Sequence, residues 1–203
     1  TLTVTVLSQT ETFTGTAIVA NRTFTTTGLA SIDSLTAISM LFAGTANDGN
    51  AYSSTTAPTN AGIYSIAPNY PTNAAAFTFA AGSLGTTSAI TNYESVTVVS
   101  GTLTVKRKPQ TMSFTFANSN TVTYSPTATL VSATNTRLGE GTRTYSTTTP
   151  ITCSVSETAV VTVLEAGSCS VQMAVALTAN FEADTATRVI TINKASRTFT
   201  LTP

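Results

Sequence analysis

The sequence predicts an all-β protein built of two tandem β-sandwich modules. Three observations carry this expectation. Of the 203 residues, 47 are threonine, a β-branched residue that is stiff at χ1 and suits strands better than helices. Charged residues make up only 9% and sum to zero, which leaves little Lys or Glu to solvate helix faces. One alternating pattern also recurs. Thr1-Leu2-Thr3-Val4-Thr5-Val6 opens the chain and Thr111-Met112-Ser113-Phe114-Thr115-Phe116 restarts it in the middle. Thr198-Phe199-Thr200-Leu201-Thr202-Pro203 closes on it. Each restart follows a joint, Lys106-Arg107-Lys108-Pro109-Gln110 and then Asn193-Lys194-Ala195-Ser196-Arg197. Self-similarity of this kind marks repeated units. It divides the chain into a module over 1–108, a second over 109–196, and 197–203 as the first strand of a following module or a strand donated to a neighbour. At roughly 90 to 110 residues, each module is large enough for its own core.

In the first module, Thr1 to Val6 is a strand with Leu2, Val4 and Val6 on one face by the period of two. Glu11 to Ala17 contains a turn, and Ala17-Ile18-Val19-Ala20 follows. Phe24 and Thr25-Thr26-Thr27-Gly28 lead into a segment with two readings. Ile32, Leu35, Ile38 and Leu41 match a helical stripe, while Ile38, Met40 and Phe42 match strand alternation. The strand-like neighbours favour a strand from about Leu35, ended by Gly44. Asn47-Asp48-Gly49-Asn50 is a turn. Ala61 to Pro68 is a strand broken by Asn69-Tyr70-Pro71, and Ala76 to Ala80 is another before a turn over Gly82 to Gly85. Asn92 to Val99 and Gly101 to Val105 form a closing pair.

Three of these stretches, Leu2-Thr3-Val4-Thr5-Val6 with Gly15-Thr16-Ala17, Ala61-Gly62-Ile63-Tyr64-Ser65-Ile66, and Asn92-Tyr93 with Gly101-Thr102-Leu103-Thr104-Val105, resemble the MBG/YDG-type repeats of large bacterial surface proteins. Those repeats carry a Leu-Thr-Val start, a Tyr-Asp-Gly-Thr-Ala-like turn, an Ala-Gly-x-Tyr-x-Ile strand and an Asn-Tyr…Gly-Thr-Leu-Thr-Val finish. The resemblance spans about the first 105 residues. It departs at the turn, where Phe13-Thr14-Gly15 stands in place of Tyr-Asp-Gly, so no role of that Asp is carried over.

The second module reads as strands over Thr111–Phe116, Thr121–Pro126, Ala128–Ala133 and Thr142–Ser146, with a Gly-flanked turn at Arg137-Leu138-Gly139-Glu140-Gly141. Pro150 starts the next strand outside the ladder. Ile151 to Val155 matches Ser168 to Val171 in pattern, with Val160 to Leu164 between them. Thr187 to Ile192 closes the module. The phrases Thr149-Pro150-Ile151-Thr152-Cys153-Ser154-Val155, Ala166-Gly167-Ser168-Cys169-Ser170-Val171 and Asn180-Phe181-Glu182-Ala183 resemble the two-Cys Ig-like repeats of actinobacterial surface proteins over about 109–196. That resemblance implies an Ig-like sandwich with a tandem structural role.

Cys153 and Cys169 are the two thiols of the chain, each in a Cys-Ser-Val frame, and they read as a disulfide. The alternatives are a buried free pair or a two-thiolate metal site short of its other ligands. A disulfide implies an oxidising compartment. With no His, a nucleophilic Ser or Thr would need a Lys or carboxylate as its base. Glu182 and Asp184 could form a carboxylate pair, or bind Ca²⁺, as could Asn47, Asp48 and Asn50. The competing reading for both groups is a solvated surface, and neither has EF-hand spacing. Tyr52, Tyr64, Tyr70 and Tyr93 could form a sugar platform or serve as core and rim packing. Lys106, Lys108 and Lys194 sit at joints, which argues against isopeptide crosslinks. Asn21-Arg22-Thr23 is a formal sequon.

The zero balance and the lack of a basic patch beyond Lys106, Arg107 and Lys108 argue against nucleic acid. No apolar run reaches the roughly 18 residues that span a bilayer. A chain starting at Thr1 reads as a processed or excised piece. The expectation is a non-catalytic structural repeat of a secreted bacterial surface protein, a stalk, adhesin spacer or filament subunit, without cofactor or metal. Its partners are neighbouring modules or identical subunits, joined head to tail through Lys106, Arg107, Lys108, Pro109, Lys194 and Arg197. Thr198, Phe199, Thr200 and Leu201 would serve as an assembly strand. The alternative is an adhesin module that binds a host or environmental glycan or protein through its end loops.

Overall fold

A computed structural model describes residues 1–19, 23–71, 76–80, 90, 93–116, 120–126 and 128–199, with the backbone course alone over 131–138. The fold is all-β. Among the described residues no helix is long and apolar enough to cross a membrane. The chain divides into two compact units, Thr1–Lys108 and Pro109–Pro203.

In unit 1, β1 (Leu2–Val6) buries Leu2, Val4 and Val6 at alternate positions, as a half-buried strand must. It lies between β3 (Phe24–Thr27), antiparallel, and β9 (Val96–Val99), parallel. A five-stranded sheet faces this core. Its order is β2 (Gln9–Thr12), β10 (Gly101–Lys106), β7 (Gly62–Pro68), β5 (Met40–Ala46) and β6 (Ala51–Ser54). A two-stranded sheet pairs β4 (Leu35–Ile38) with β8 (Phe77–Phe79). Leu103 and Val105 of β10, Tyr64 and Ile66 of β7, and Met40 and Phe42 of β5 supply the inner face.

Several sequence expectations need correction here. Gly44 does not end its strand: β5 runs on to Ala46. A β-carbon at Gly44 would lie 2.8 Å from the Tyr64 Cα, so this glycine permits close approach of β5 to β7 rather than a turn. Ala17 to Val19, which the pattern leaves unassigned, lie outside the strands. Ile18 is buried, but Val19 is almost fully exposed. The closing strands β9 and β10 are not paired with each other. β9 joins β1, whereas β10 joins β2 and β7 in the other sheet. Gly101 marks the crossing, because its backbone passes close to the Val6 and Leu7 carbonyls. β6 was not anticipated: Ala51-Tyr52-Ser53-Ser54 has one apolar position besides Ala51, and only pairing with β5 makes it a strand. The turn expected over Gly82–Gly85 lies outside the described residues, as do Asn21 and Arg22 of the sequon.

Unit 2 is a sandwich of two four-stranded sheets. One has the order β11 (Thr111–Phe116), β13 (Thr129–Leu138), β16 (Val160–Val163), β15 (Cys153–Val155). The other runs β12 (Thr121–Thr123), β18 (Asp184–Asn193), β17 (Gly167–Val175), β14 (Arg143–Thr147). Alternate residues of β11 (Met112, Phe114, Phe116) and of β17 (Cys169, Val171, Met173, Val175) fill the space between them. The strand expected over Thr121–Pro126 stops at Thr123, and β13 is longer than anticipated, running to Leu138 before its turn. The matched Cys-Ser-Val frames are not strand partners. β15 pairs with β16, and β17 pairs with β14 and β18, so the two frames lie in different sheets.

The two units share a plan that the sequence pattern showed only at its start. In each, the second short strand lies parallel to the last one, β2 with β10 and β12 with β18. The last strand then pairs antiparallel with a long inner strand, β7 or β17, which pairs antiparallel with β5 or β14. The residue after each short strand donates its N–H to the end of the last strand. Phe13 N bonds Lys106 O at 2.9 Å, and Tyr124 N bonds Asn193 O at 2.8 Å. By this register, Phe13 corresponds to Tyr124.

Two separate cores lead to a first prediction. Residues 1–108 and 109–203, expressed apart, are each expected to give a cooperatively melting β-protein by circular dichroism. A half that is unfolded alone would place part of its core in the other unit.

Candidate functional site

The residues expected at the joints are spread over three environments. Lys106 is the last residue of β10, and it is exposed like Lys108 and Pro109, while Arg107 is half-buried. Gln110, taken as the end of the first joint, is not linker at all. It is only 7% exposed, and its Nε2 donates to Glu182 O at 2.6 Å within unit 2. A polar residue at a joint gave no sign of this, because its partner is a backbone carbonyl 72 residues away. At the second joint, Lys194 and Arg197 are exposed and line a groove. Thr198 and Phe199 belong to no strand, and Phe199 is 85% exposed. Thr200 and Leu201 lie outside the described residues.

The groove lies at the end of unit 2 and has a volume of about 430 Å³. One wall is Tyr124, half-buried and packed on the core of unit 2. The bond from its N–H to Asn193 O fixes its backbone to the end of β18. Leu164, Glu165 and Ala166, in the turn between β16 and β17, form the opposite wall. Leu164 N and Glu165 N both donate to Thr152 O, at 2.9 and 3.1 Å. Lys194 and Arg197 close the third side. Both fixed walls are therefore held by main-chain hydrogen bonds, and a pre-formed groove costs little ordering on binding.

Cys153 and Cys169 are bonded, with a Cα–Cα distance of 5.7 Å. Both are fully buried, and the bond ties β15 in one sheet to β17 in the other. The hydroxyls of Thr147 and Thr149 lie 3.4 and 3.7 Å from the Cys153 sulfur.

The tyrosines considered as a platform serve separate packing roles. Tyr64 is in the core, edge-on to Tyr52 at 5.7 Å between ring centres, and its hydroxyl donates to Asn60 O at 2.9 Å. Tyr70 is edge-on to Phe77 at 5.4 Å. Tyr93 ties two loops together: its hydroxyl donates to Asp33 Oδ2 at 2.7 Å and accepts from Ala30 N at 3.0 Å. Burial pushes the Tyr64 and Tyr93 hydroxyls above their ordinary value.

The Asp48 carboxylate accepts the Asn50 N–H at 3.0 Å, which holds its pKa below the usual value. It serves as a turn cap. Among the described residues, no three or more of His, Cys, Asp and Glu come together to hold a metal ion. Glu182 is exposed, and Asp184 opens β18.

No protein-family model matches the chain, and no curated protein matches it. Among solved structures it is similar to a SusE-like, surface-located polysaccharide-binding protein from the Bacteroides thetaiotaomicron heparin utilisation locus, at 10% identity and a TM-score of 0.34. The match covers 95% of this chain and 33% of that one, so the chain spans about a third of that protein's length. Likeness at this level carries no argument about ligand or site.

Proposed function

We propose that this chain is a pair of structural modules from a secreted bacterial surface protein, an MBG/YDG-type unit followed by a two-Cys Ig-like unit, whose work is spacing and bearing load. The observation that carries this reading is the parallel pairing of each unit's second strand with its last, β2 with β10 and β12 with β18. Tension that reaches the start of the second strand and leaves at the end of the last pulls the two strands past each other. The ladder bonds then share the load and fail together, instead of opening one by one as in a hairpin pulled at its open end. A buried disulfide between the two sheets of unit 2 supports an extracellular location, since such bonds persist in oxidising compartments. The hydroxyl-rich, charge-poor surface suits the same setting. Continuation head to tail at Thr198–Leu201, into a further module or a neighbouring subunit, belongs to this reading.

Single-molecule pulling on the intact chain tests it. Two unfolding events are expected, and Val122→Pro should lower the force of the unit 2 event while leaving unit 1 unchanged. Tyr124 N bonds Asn193 O, so the alternation of the ladder points the Val122 N–H at β18 as well, and proline removes that donor. The unit carrying the disulfide is identified by its length. The bond spans a sequence separation of 16, so reduction should lengthen that event by about 50 Å. An unchanged force in the proline variant would remove the load-bearing role from this strand pair.

A further inference from the structure

We propose that the end groove of unit 2 binds an acidic sugar residue, a pyranose bearing a carboxylate, within a longer saccharide. This goes beyond the load-bearing reading and does not depend on it. The volume of about 430 Å³ falls in the range of small-ligand sites, roughly 300–1,000 Å³, and accommodates a sugar unit with its neighbour. The chemistry of the walls is specific. Tyr124 is anchored on the core and offers an aromatic surface to the groove, and Leu164 faces it from the opposite wall. The C–H face of a pyranose packs on such a pair, while a phenolic hydroxyl at the rim can bond a ring substituent. Lys194 and Arg197 present charge where a carboxylate would lie, and the guanidinium fork matches the two oxygens of a carboxylate. Glu165 can only accept hydrogen bonds when ionised, and a sugar supplies the hydroxyl donors that it needs.

Glu165 also sets the selectivity. Two cations against one carboxylate leave a single net positive charge, enough for one anionic group per site. A polyanion charged more densely than once per sugar ring, such as poly-glutamate, would press its next charge against Glu165. The groove thus differs from a basic patch, which favours whichever partner carries the most negative charge. The corresponding position in unit 1 carries Phe13, which lacks the hydroxyl of Tyr124, so this site is assigned to unit 2 alone.

The test uses the whole chain, labelled with ¹⁵N and titrated with trigalacturonate, maltotriose or a poly-glutamate peptide. Trigalacturonate is expected to shift the amides of Tyr124, Leu164 to Ala166 and Lys194 to Arg197, with maltotriose binding at least about tenfold more weakly. Lys194→Gln with Arg197→Gln should weaken trigalacturonate binding about tenfold. Both residues are exposed, so this variant keeps its fold and stays decisive even if Tyr124→Ala, which removes the platform, loosens the core. Equal binding of maltotriose or poly-glutamate overturns the proposal. So does an unchanged affinity in the double variant, or the absence of any shift with millimolar trigalacturonate. None of these outcomes touches the unfolding forces on which the load-bearing reading stands.

Discussion

Replacing Cys153 and Cys169 together by alanine lowers the stability of unit 2 by about 3 kcal/mol and leaves unit 1 unchanged. The disulfide links cysteines at a sequence separation of 16. On the chain-entropy model, most of its contribution comes from restricting the unfolded chain. The folded state loses little beyond the sulfur atoms, because the nearby hydroxyls keep other partners. Thr147 Oγ1 still donates to Ser170 O at 2.9 Å, and Thr149 Oγ1 still accepts from Ser170 N at 2.9 Å. No buried donor is orphaned. For a unit of this size the loss corresponds to a fall in midpoint of more than about 10 °C. Differential scanning calorimetry of the intact chain should therefore show one transition moving down and the other staying in place. A fall in both would mean that the units melt as one. A shift of only a degree or two would mean that sheet packing, with Phe114, Met173 and Ile190 at its centre, already holds the sandwich without the bond.

The strands were legible in the sequence wherever one face is buried and the other wet. β1, β10 and β11 alternate buried and more exposed residues in step with their Leu, Val, Met and Phe positions. What remained hidden is which strand lies beside which. β9 and β10 are separated by one residue and look like partners, yet they enter different sheets. Alternation reports a strand's two faces and nothing about its edges. Gly44 was misread for a related reason: glycine signals a turn or a close approach with equal force, and only the neighbouring Tyr64 decides between them. The joint residues Lys194 and Arg197 were legible as charges after a strand. Their meeting with Tyr124 and the Leu164–Ala166 turn depends on the β12–β18 pairing, and a three-residue strand leaves little trace in sequence. Gln110 gave no signal, because its burial rests on a main-chain carbonyl far along the chain.

Tyr64→Ala is expected to cost unit 1 about 3–5 kcal/mol, in line with other aromatic truncations in packed cores. Tyr64 is 1% exposed, and the backbone around it is shaped to its outline. An added β-carbon at Gly62 would sit 2.9 Å from the Tyr64 hydroxyl, and one at Gly44 would sit 2.8 Å from its Cα. Strands held this closely by ladder bonds cannot fold inward to fill the space the ring leaves, so the cavity persists. Tyr64→Phe separates the ring from its hydroxyl. It removes only the bond to Asn60 O and should cost about 1 kcal/mol. The same variant carries a pH signature. Burial first, then the nearby Asp48 and Tyr52, raise the Tyr64 hydroxyl above its ordinary 10.0. The unfolded chain therefore releases its proton at a lower pH than the folded one. The contribution is complete below about pH 10 and is lost as pH rises from there through the folded value. Urea unfolding at neutral and strongly alkaline pH should show unit 1 weakening at high pH, and Tyr64→Phe should remove part of that loss. Tyr93, whose hydroxyl is raised in the same direction by burial, contributes to the remainder. An alkaline loss identical in the wild type and the Phe variant would show that the Tyr64 hydroxyl does not report on folding.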